Sequence, residues 1–180
     1  MTSATPSISL REVTPDDDEF LVRVYGSVRQ AELALTGWSA AQCDAFIRMQ
    51  FDAQQLHYRT HYPTGVHQII LLDELAVGRI YWANLKAELH FIDITLLPEY
   101  RNRGIGTPLL KRLLEQAASE GKPARIYVES FNPSLRLFER LGFTVAKADG
   151  YLLLLEWRAE GDAATRRHGD EGRGFVEETE

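Results

Sequence analysis

Residues 96–107, Leu-Leu-Pro-Glu-Tyr-Arg-Asn-Arg-Gly-Ile-Gly-Thr, place two arginines and two glycines between an apolar strand and an amphipathic helix. The spacing predicts a strand end, a glycine-bearing turn and a helix start. The first N–H groups of a helix have no intrahelical partners, and they sit at the positive end of its macrodipole. Phosphate oxygens settle on such groups. Gly104 and Gly106 let the backbone come close to a ligand, while Arg101 and Arg103 add formal charge. The chemistry on offer is capture of a diphosphate. The amides from Arg103 through Ile105 and Gly106 to Thr107, with Asn102 in the turn, contribute more than either arginine side chain.

Two common phosphate motifs do not fit. A dinucleotide fingerprint, G-x-G-x-x-G, needs a small residue where the chain has Leu109. A P-loop needs a Lys-Ser or Lys-Thr pair after its second glycine, and none follows here. What remains is R-x-x-G-x-G. About thirty residues downstream lies Asn132-Pro-Ser-Leu-Arg-Leu-Phe138-Glu-Arg-Leu-Gly142-Phe143, an Asn at a strand end followed by a short helix closing on Leu-Gly-Phe. Together, in this order, the two segments resemble the acyl-CoA loop and the second signature of the GCN5-related N-acetyltransferase (GNAT) superfamily. The resemblance spans residues 8–158 in element order, and residues 93–143 carry its specific motifs.

That resemblance implies an acetyl-CoA-dependent N-acetyltransferase in which an amine attacks the bound thioester directly. It also implies that backbone groups of Leu96 and Leu97 serve the pantetheine and acyl carbonyl, and that the Asn132 side chain bonds the pantetheine arm. Independently, Asn132 before Pro133 makes a good helix N-cap. Phe138 departs from the pattern, since many family members carry there a Tyr thought to protonate the departing thiolate. Leu135, Phe138 and Leu141 equally read as one apolar helix face. For the general base, Glu88, His90 and Asp93 lie on the strand leading into the loop. Strict alternation puts Glu88 and His90 on one face and Asp93 on the other. Counted back from Arg101, His90 occupies the place where histone-type members of the family carry a glutamate. A neutral imidazole there can take a proton from an ammonium.

The elements that must position these residues follow from periodicity. Alternation marks strands at Ile8–Val13, at His67–Asp73 and Leu75–Ala83 as a hairpin around Asp73-Glu74, and at Leu89–Leu97. Further strands are expected at Arg125–Glu129, Phe143–Lys147 and Tyr151–Trp157. Thr14-Pro15 starts a helix whose Asp16, Asp17, Asp18 and Glu19 read as surface charges facing the dipole. Ser39 and Gln42 form a capping box for a helix over residues 40–59. Its end carries Gln54, His57, Tyr58, His61 and Tyr62, either an acceptor lining or a solvated face. The helix over Ile105–Glu120 shows an apolar stripe of Leu109, Leu110, Leu113, Leu114, Ala117 and Ala118, stopped by Gly121 and Pro123. The fold class expected is mixed α/β: a GNAT-like, mostly antiparallel sheet of about seven strands, helices on both faces, one parallel crossover. In the family, the strands on either side of that crossover splay apart.

Composition agrees with one domain over residues 1–158. The chain has 180 residues, 44% hydrophobic and 26% charged. A net charge of −6 argues against nucleic acid as the main partner. The single Cys43, the absence of a signal-like N-terminus and of any long apolar run point to a soluble cytoplasmic protein without a membrane partner. No metal-ligand cluster is visible. Residues 159–180, with four glycines and seven acids, read as a disordered acidic tail. The acceptor, a small-molecule amine or a protein amine, stays open, as does a homodimer through the closing strands. Alternative readings are a non-catalytic acyl-CoA-sensing module, for which Phe138 and the acidic tail are the motive, and an acyltransferase for longer acyl groups.

Overall fold

The computed structural model describes residues 6–159. The expected tail therefore lies, from residue 160 on, outside the described residues. Seven strands form one sheet in the order β1-β2-β3-β4-β5-β7-β6. They are β1 (Ile8–Glu12), β2 (Val66–Leu72), β3 (Leu75–Asn84), β4 (Leu89–Leu96), β5 (Ala124–Glu129), β6 (Thr144–Asp149) and β7 (Leu152–Trp157). Five helices join them: α1 (Asp18–Ser27), α2 (Gln30–Leu33), α3 (Ala40–His61), α4 (Gly106–Ser119) and α5 (Leu135–Arg140). Among the described residues only β4 and β5 pair in parallel, across the α4 crossover. The mixed, mostly antiparallel architecture matches the fold class read from the sequence.

Adjacent residues of a strand face opposite sides of the sheet, and β2 shows the division. Ile70 belongs to the main core, where Leu109, Leu110, Leu113, Leu114 and Ala117 of α4 pack on the sheet. Ile69 belongs to the second core, with Leu21 and Tyr25 of α1 and Phe51 of α3. Helices α4 and α5 thus cover one face, and α1 and α3 the other. Ser39 caps α3 as the sequence predicts, accepting from the amide of Gln42. Helix α3 runs to His61, two residues beyond its expected end, while the four-residue α2 has no counterpart in the sequence reading.

The β2–β3 hairpin turns at Asp73 and Glu74 as expected, with both residues at positive φ (48° and 70°). One group of charges differs from expectation. Asp17 is not a surface acid: it is buried and accepts from both terminal nitrogens of Arg11 at 2.7 and 2.6 Å. Asp18 and Glu19 reach Arg48 of α3, joining the two helices on this face.

Two departures from regular pairing shape the region above the sheet. Strand β4 pairs with β5 only at Leu89–Phe91, although both strands continue further. From Ile92 to Leu96 the β5-facing edge of β4 has no strand partner, so the two strands splay as the family resemblance implies. The second departure is a bulge. Tyr81 pairs with Asp93 and Trp82 with Phe91, leaving Ile92 as one extra residue in β4. Alternation is thereby shifted by one. His90, opposite Ala83, and Asp93, opposite Tyr81, share the α3 face, which corrects the expectation that Asp93 points the other way. Among the described residues no helix is long and apolar enough to cross a membrane.

Candidate active site

Beyond β4 the chain makes a short turn over Pro98–Tyr100 and a loop that enters α4 at Gly106. Asn102 (φ 58°) and Gly104 (φ 77°) both take left-handed conformations there. Asn tolerates that region better than most residues, and Gly occupies it without strain. A β-carbon on Gly104 would meet nothing within 4 Å, so the space above the loop is open. The amides from Asn102 to Thr107 donate to no carbonyl or side chain among the described residues. No acidic side chain occupies the first turn of α4. A row of amides without partners at a helix N-terminus that no acid compensates, beside the open space at Gly104, has the chemistry that favours phosphate oxygens.

Both arginines have neutral partners within the chain. Arg101 donates from Nε to the carbonyl of Leu96 at 2.9 Å and from Nη2 to Ser27 Oγ at 3.3 Å, tying the loop to α1. Arg103 lies over the ring of Tyr100, 5.5 Å from its centroid. The backbone groups named from the family are also engaged. Leu97 donates its N–H to Val77, and Arg101 occupies the Leu96 carbonyl. The free backbone of β4 is the edge left by the splay, between Ile92 and Leu96.

Asn132 follows β5 in a turn, not at the cap of α5, which begins three residues later. Its Oδ1 accepts from the amide of Ser134 at 2.9 Å. The Nδ2 group donates to nothing among the described residues. Phe138 is fully buried, its ring edge-on to Phe143 at 5.3 Å. It is a core residue, as the apolar spacing with Leu135 and Leu141 implied, and its ring offers no surface to a ligand.

The three candidate bases divide clearly. His90, 5% exposed, sits where β4 and β5 begin to part. Its Nδ1 lies 2.9 Å from Glu88 Oε1. Facing a carboxylate, Nδ1 carries the proton and leaves Nε2 as the acceptor. Tyr62, the residue capping α3, stacks on the imidazole at 5.5 Å and 16°, and Tyr127 of β5 stands at 5.9 Å. Burial raises the Tyr62 phenol, with Tyr127 and Glu88 adding to the effect, so it stays protonated. Glu88 is thus a partner that orients His90, with its second oxygen held by Arg125 at 2.7 Å.

Asp93 does different work. It forms an ion pair with the buried Arg79 at 2.5 Å and accepts from Thr95 Oγ1 at 2.8 Å. The Arg79 guanidinium lies 6.0 Å from the Tyr25 ring centroid and 5.8 Å from that of Phe51. Its Nη2 also donates to Gln54 of α3. With a buried cation to neutralise, Asp93 is committed as a counter-ion. Around this pair, burial raises the Tyr58 phenol, with Asp93 adding to it, and lowers His67 to about 4, with Arg79 adding to it.

The polar-aromatic end of α3 resolves into two faces. Gln54, Tyr58 and Tyr62, four residues apart, look toward the sheet, while His57 and His61 stack on each other in solvent at 4.0 Å. That four-residue spacing was the available signal for Tyr62. Arg125 and Tyr127 were legible only as outward positions of an alternating strand. Among the described residues, no three His, Cys, Asp or Glu side chains cluster as metal ligands do.

Residues 33–143 match the acetyltransferase (GNAT) family model. An N-alpha-acetyltransferase of Saccharolobus solfataricus is 31% identical over 94 residues, which are 44% of this chain and 56% of that protein. A mycothiol acetyltransferase of Corynebacterium aurimucosum is 41% identical over 56 residues, 30% of this chain and 18% of that protein. The chain thus aligns with little more than half of one curated relative and under a fifth of the other. Among solved structures, the PaiA N-acetyltransferase of Thermoplasma acidophilum in complex with coenzyme A superposes with a TM-score of 0.65 at 21% identity, covering 84% of this chain and 99% of that one. A nucleotide-linked sugar GNAT, FdhC, gives 0.61 at 15%, covering 89% and 92%. With the family match spanning more than half of its residues on a fold of this topology, the chain belongs to the GNAT acetyltransferase family.

Proposed function

We propose that this protein is an acetyl-CoA-dependent N-acetyltransferase with His90 as its general base. The observation that carries this reading is the row of free amides from Asn102 to Thr107, adjoining a splayed strand pair with an oriented imidazole at its apex. The loop amides and the start of α4 hold the diphosphate, and the unpaired edge of β4 lies alongside the pantetheine arm. Bound there, the thioester supplies the acetyl group and a thiol of intrinsic pKa about 8.5 as leaving group. The acceptor arrives as an ammonium and loses its proton to His90 Nε2, which frees its lone pair for attack. Glu88 stabilises the imidazolium so formed through Nδ1–H, and the two tyrosine rings shield it from water. Holding both substrates in one cleft removes much of the bimolecular entropy cost, so no further acid is required of Phe138.

The first test is calorimetric titration with acetyl-CoA, CoA and ATP. Binding of the first two and not the third is expected. No heat up to ~1 mM ligand, equivalent to about −4 kcal/mol, overturns the loop reading. The second test follows CoA release over a panel of small amines and peptide α-amines, the latter included because of the archaeal relative. His90→Gln is expected to lower turnover by about 10²–10⁴-fold with CoA affinity unchanged. A His90→Gln enzyme with wild-type turnover removes His90 from the mechanism. CoA binding with no turnover on any amine favours the non-catalytic module.

A further inference from the structure

Glu88 divides its carboxylate between two partners: Oε1 accepts from His90 Nδ1 at 2.9 Å and Oε2 from Arg125 Nη1 at 2.7 Å. Arg125 is divided in turn, since its Nε and Nη2 lie 2.7 and 2.6 Å from Glu156 Oε2. Arg158 Nε closes the series on Glu156 Oε1 at 2.6 Å. A ladder of alternating groups thus crosses the sheet from β4 through β5 to the end of β7: imidazole, carboxylate, guanidinium, carboxylate, guanidinium. The register holds it in line, with His90 opposite Arg125 and Arg125 opposite Glu156. The Glu88 and Glu156 side chains are each 16% exposed, so solvent screens the ladder only in part.

We propose that Arg125 and Glu156 are positioning residues that set, through Glu88, how readily His90 holds a proton. The inference rests on the reading of His90 as the base. Arg125 draws Glu88's charge away from the imidazole, and Glu156 draws Arg125's charge away from Glu88. Alternate members of the ladder therefore act on His90 with opposite sign. Of the hydrogen bonds that hold the Arg125 guanidinium above its ordinary value, the one to Glu156 counts for more than the one to Glu88. Burial works to raise Glu156, but Arg125 and Arg158 together bring it below its ordinary value.

Among the described residues the charges near His90 are few. The groups facing His90 are Glu88 just before its strand, Tyr62 capping α3, and Tyr127 and Arg125 from β5. Opposite on β3 stands Ala83, which does not titrate. Asp93, further along the same face, is neutralised by Arg79.

The experiment is a proton NMR titration of the His90 imidazole in the full chain, its signal identified among the five histidines by loss in His90→Gln. In Arg125→Gln, Glu88 is left with the imidazole alone, and the His90 midpoint is expected to rise by about one pH unit. In Glu156→Gln, Arg125 turns wholly to Glu88, and the midpoint is expected to fall by about half a unit. Arg125→Lys keeps the charge and is expected within about 0.3 units of wild type. Thermal unfolding of each variant shows that it is folded. A residue that only braces the sheet moves stability without moving the two midpoints in opposite directions.

Shifts of the same sign, shifts below about 0.2 units in both glutamine variants, or a Lys variant that behaves like Gln overturn the proposal. With an amine taken from the panel, the acidic limb of kcat/KM is expected to follow the NMR midpoint. Midpoints that move while the limb stays still support the ladder and overturn His90 as the base.

Discussion

Replacing Phe138 by Tyr decides whether the absent hydroxyl matters. Phe138 has no exposed surface, and its ring stands edge-on to Phe143 at 5.3 Å inside the main core. Phe143 in turn lies 6.2 Å from Phe91 of β4. The substitution adds one hydroxyl to a close-packed aromatic cluster. A buried hydroxyl without a partner costs about 1–3 kcal/mol. In a domain of this size each kcal/mol lowers Tm by about 2–4 °C, so Phe138→Tyr is expected to melt roughly 2–12 °C below wild type. Turnover, followed by CoA release with a competent amine, is expected to stay within about twofold of wild type. A ring edge that faces the departing sulfur gives the opposite result, because a positioned acid contributes about 10²–10⁴-fold. Differential scanning calorimetry and the CoA-release assay on the same preparation separate the two. A variant at least as stable as wild type, with turnover raised tenfold or more, refutes the assignment of Phe138 to the core and restores the family's acid at this position.

Three other perturbations address the loop, the buried ion pair and Asp17. Gly104→Val meets no neighbour within 4 Å but forces a β-branched residue to φ 77°, a strain of about 1–2 kcal/mol. The loop relaxes away from that strain, and CoA affinity by calorimetry is expected to fall about 5–30-fold, with unchanged affinity counting against the amide cradle. Arg79→Met leaves Asp93 without its buried counter-ion and is expected to cost about 3–5 kcal/mol by urea unfolding. The double variant Arg79→Met/Asp93→Leu recovers most of that loss; additive losses show that the pair is not coupled. Arg11 holds the Asp17 carboxylate well below its ordinary value of about 3.9. The stability it confers is complete above that value and drains away as pH falls below it. The gap between wild type and Asp17→Asn in urea midpoint is therefore expected to close below about pH 4, and a pH-independent gap rules the linkage out.

Much of the architecture was legible because it rests on local periodicity. The Leu stripe of α4 and its Gly121–Pro123 stop, the capping box at Ser39, and the turns at Asp73-Glu74 and Asp149-Gly150 mark their elements directly. The loop before α4 was legible for the same reason, since its glycines punctuate the step from strand to helix. What stayed hidden depends on contacts between distant residues. Asp17 reads as one of four similar acids until β1 brings Arg11 beside it. Tyr62 and His90 are separated by an entire hairpin and meet only because α3 ends over the start of β4. Arg101 carries the family's expected position in the loop, yet Ser27 on α1 and the Leu96 carbonyl claim its guanidinium.

The bulge at Ile92 shows why motif counting alone is unsafe for the base. A strand repeats every two residues, so one inserted residue exchanges the faces of everything on its far side. Counted back from Leu96 in twos, His90 falls with Ile94 on the α4 face, inside the main core. Ile94 and Leu96 do pack against that core. The extra residue transfers His90 to the other face, beside Tyr62 and Glu88, where Asp93 already stands. Ile92 is as apolar as its neighbours, so nothing in its type betrays the insertion. The splay and the bulge start at the same point of β4: pairing with β5 ends at Phe91, and the extra residue follows at once. The turn of His90 to the α3 face and the parting of β4 from β5 therefore fall at one place in the strand. The geometry on which the proposed chemistry rests lies where regular pairing stops, beyond the reach of periodicity.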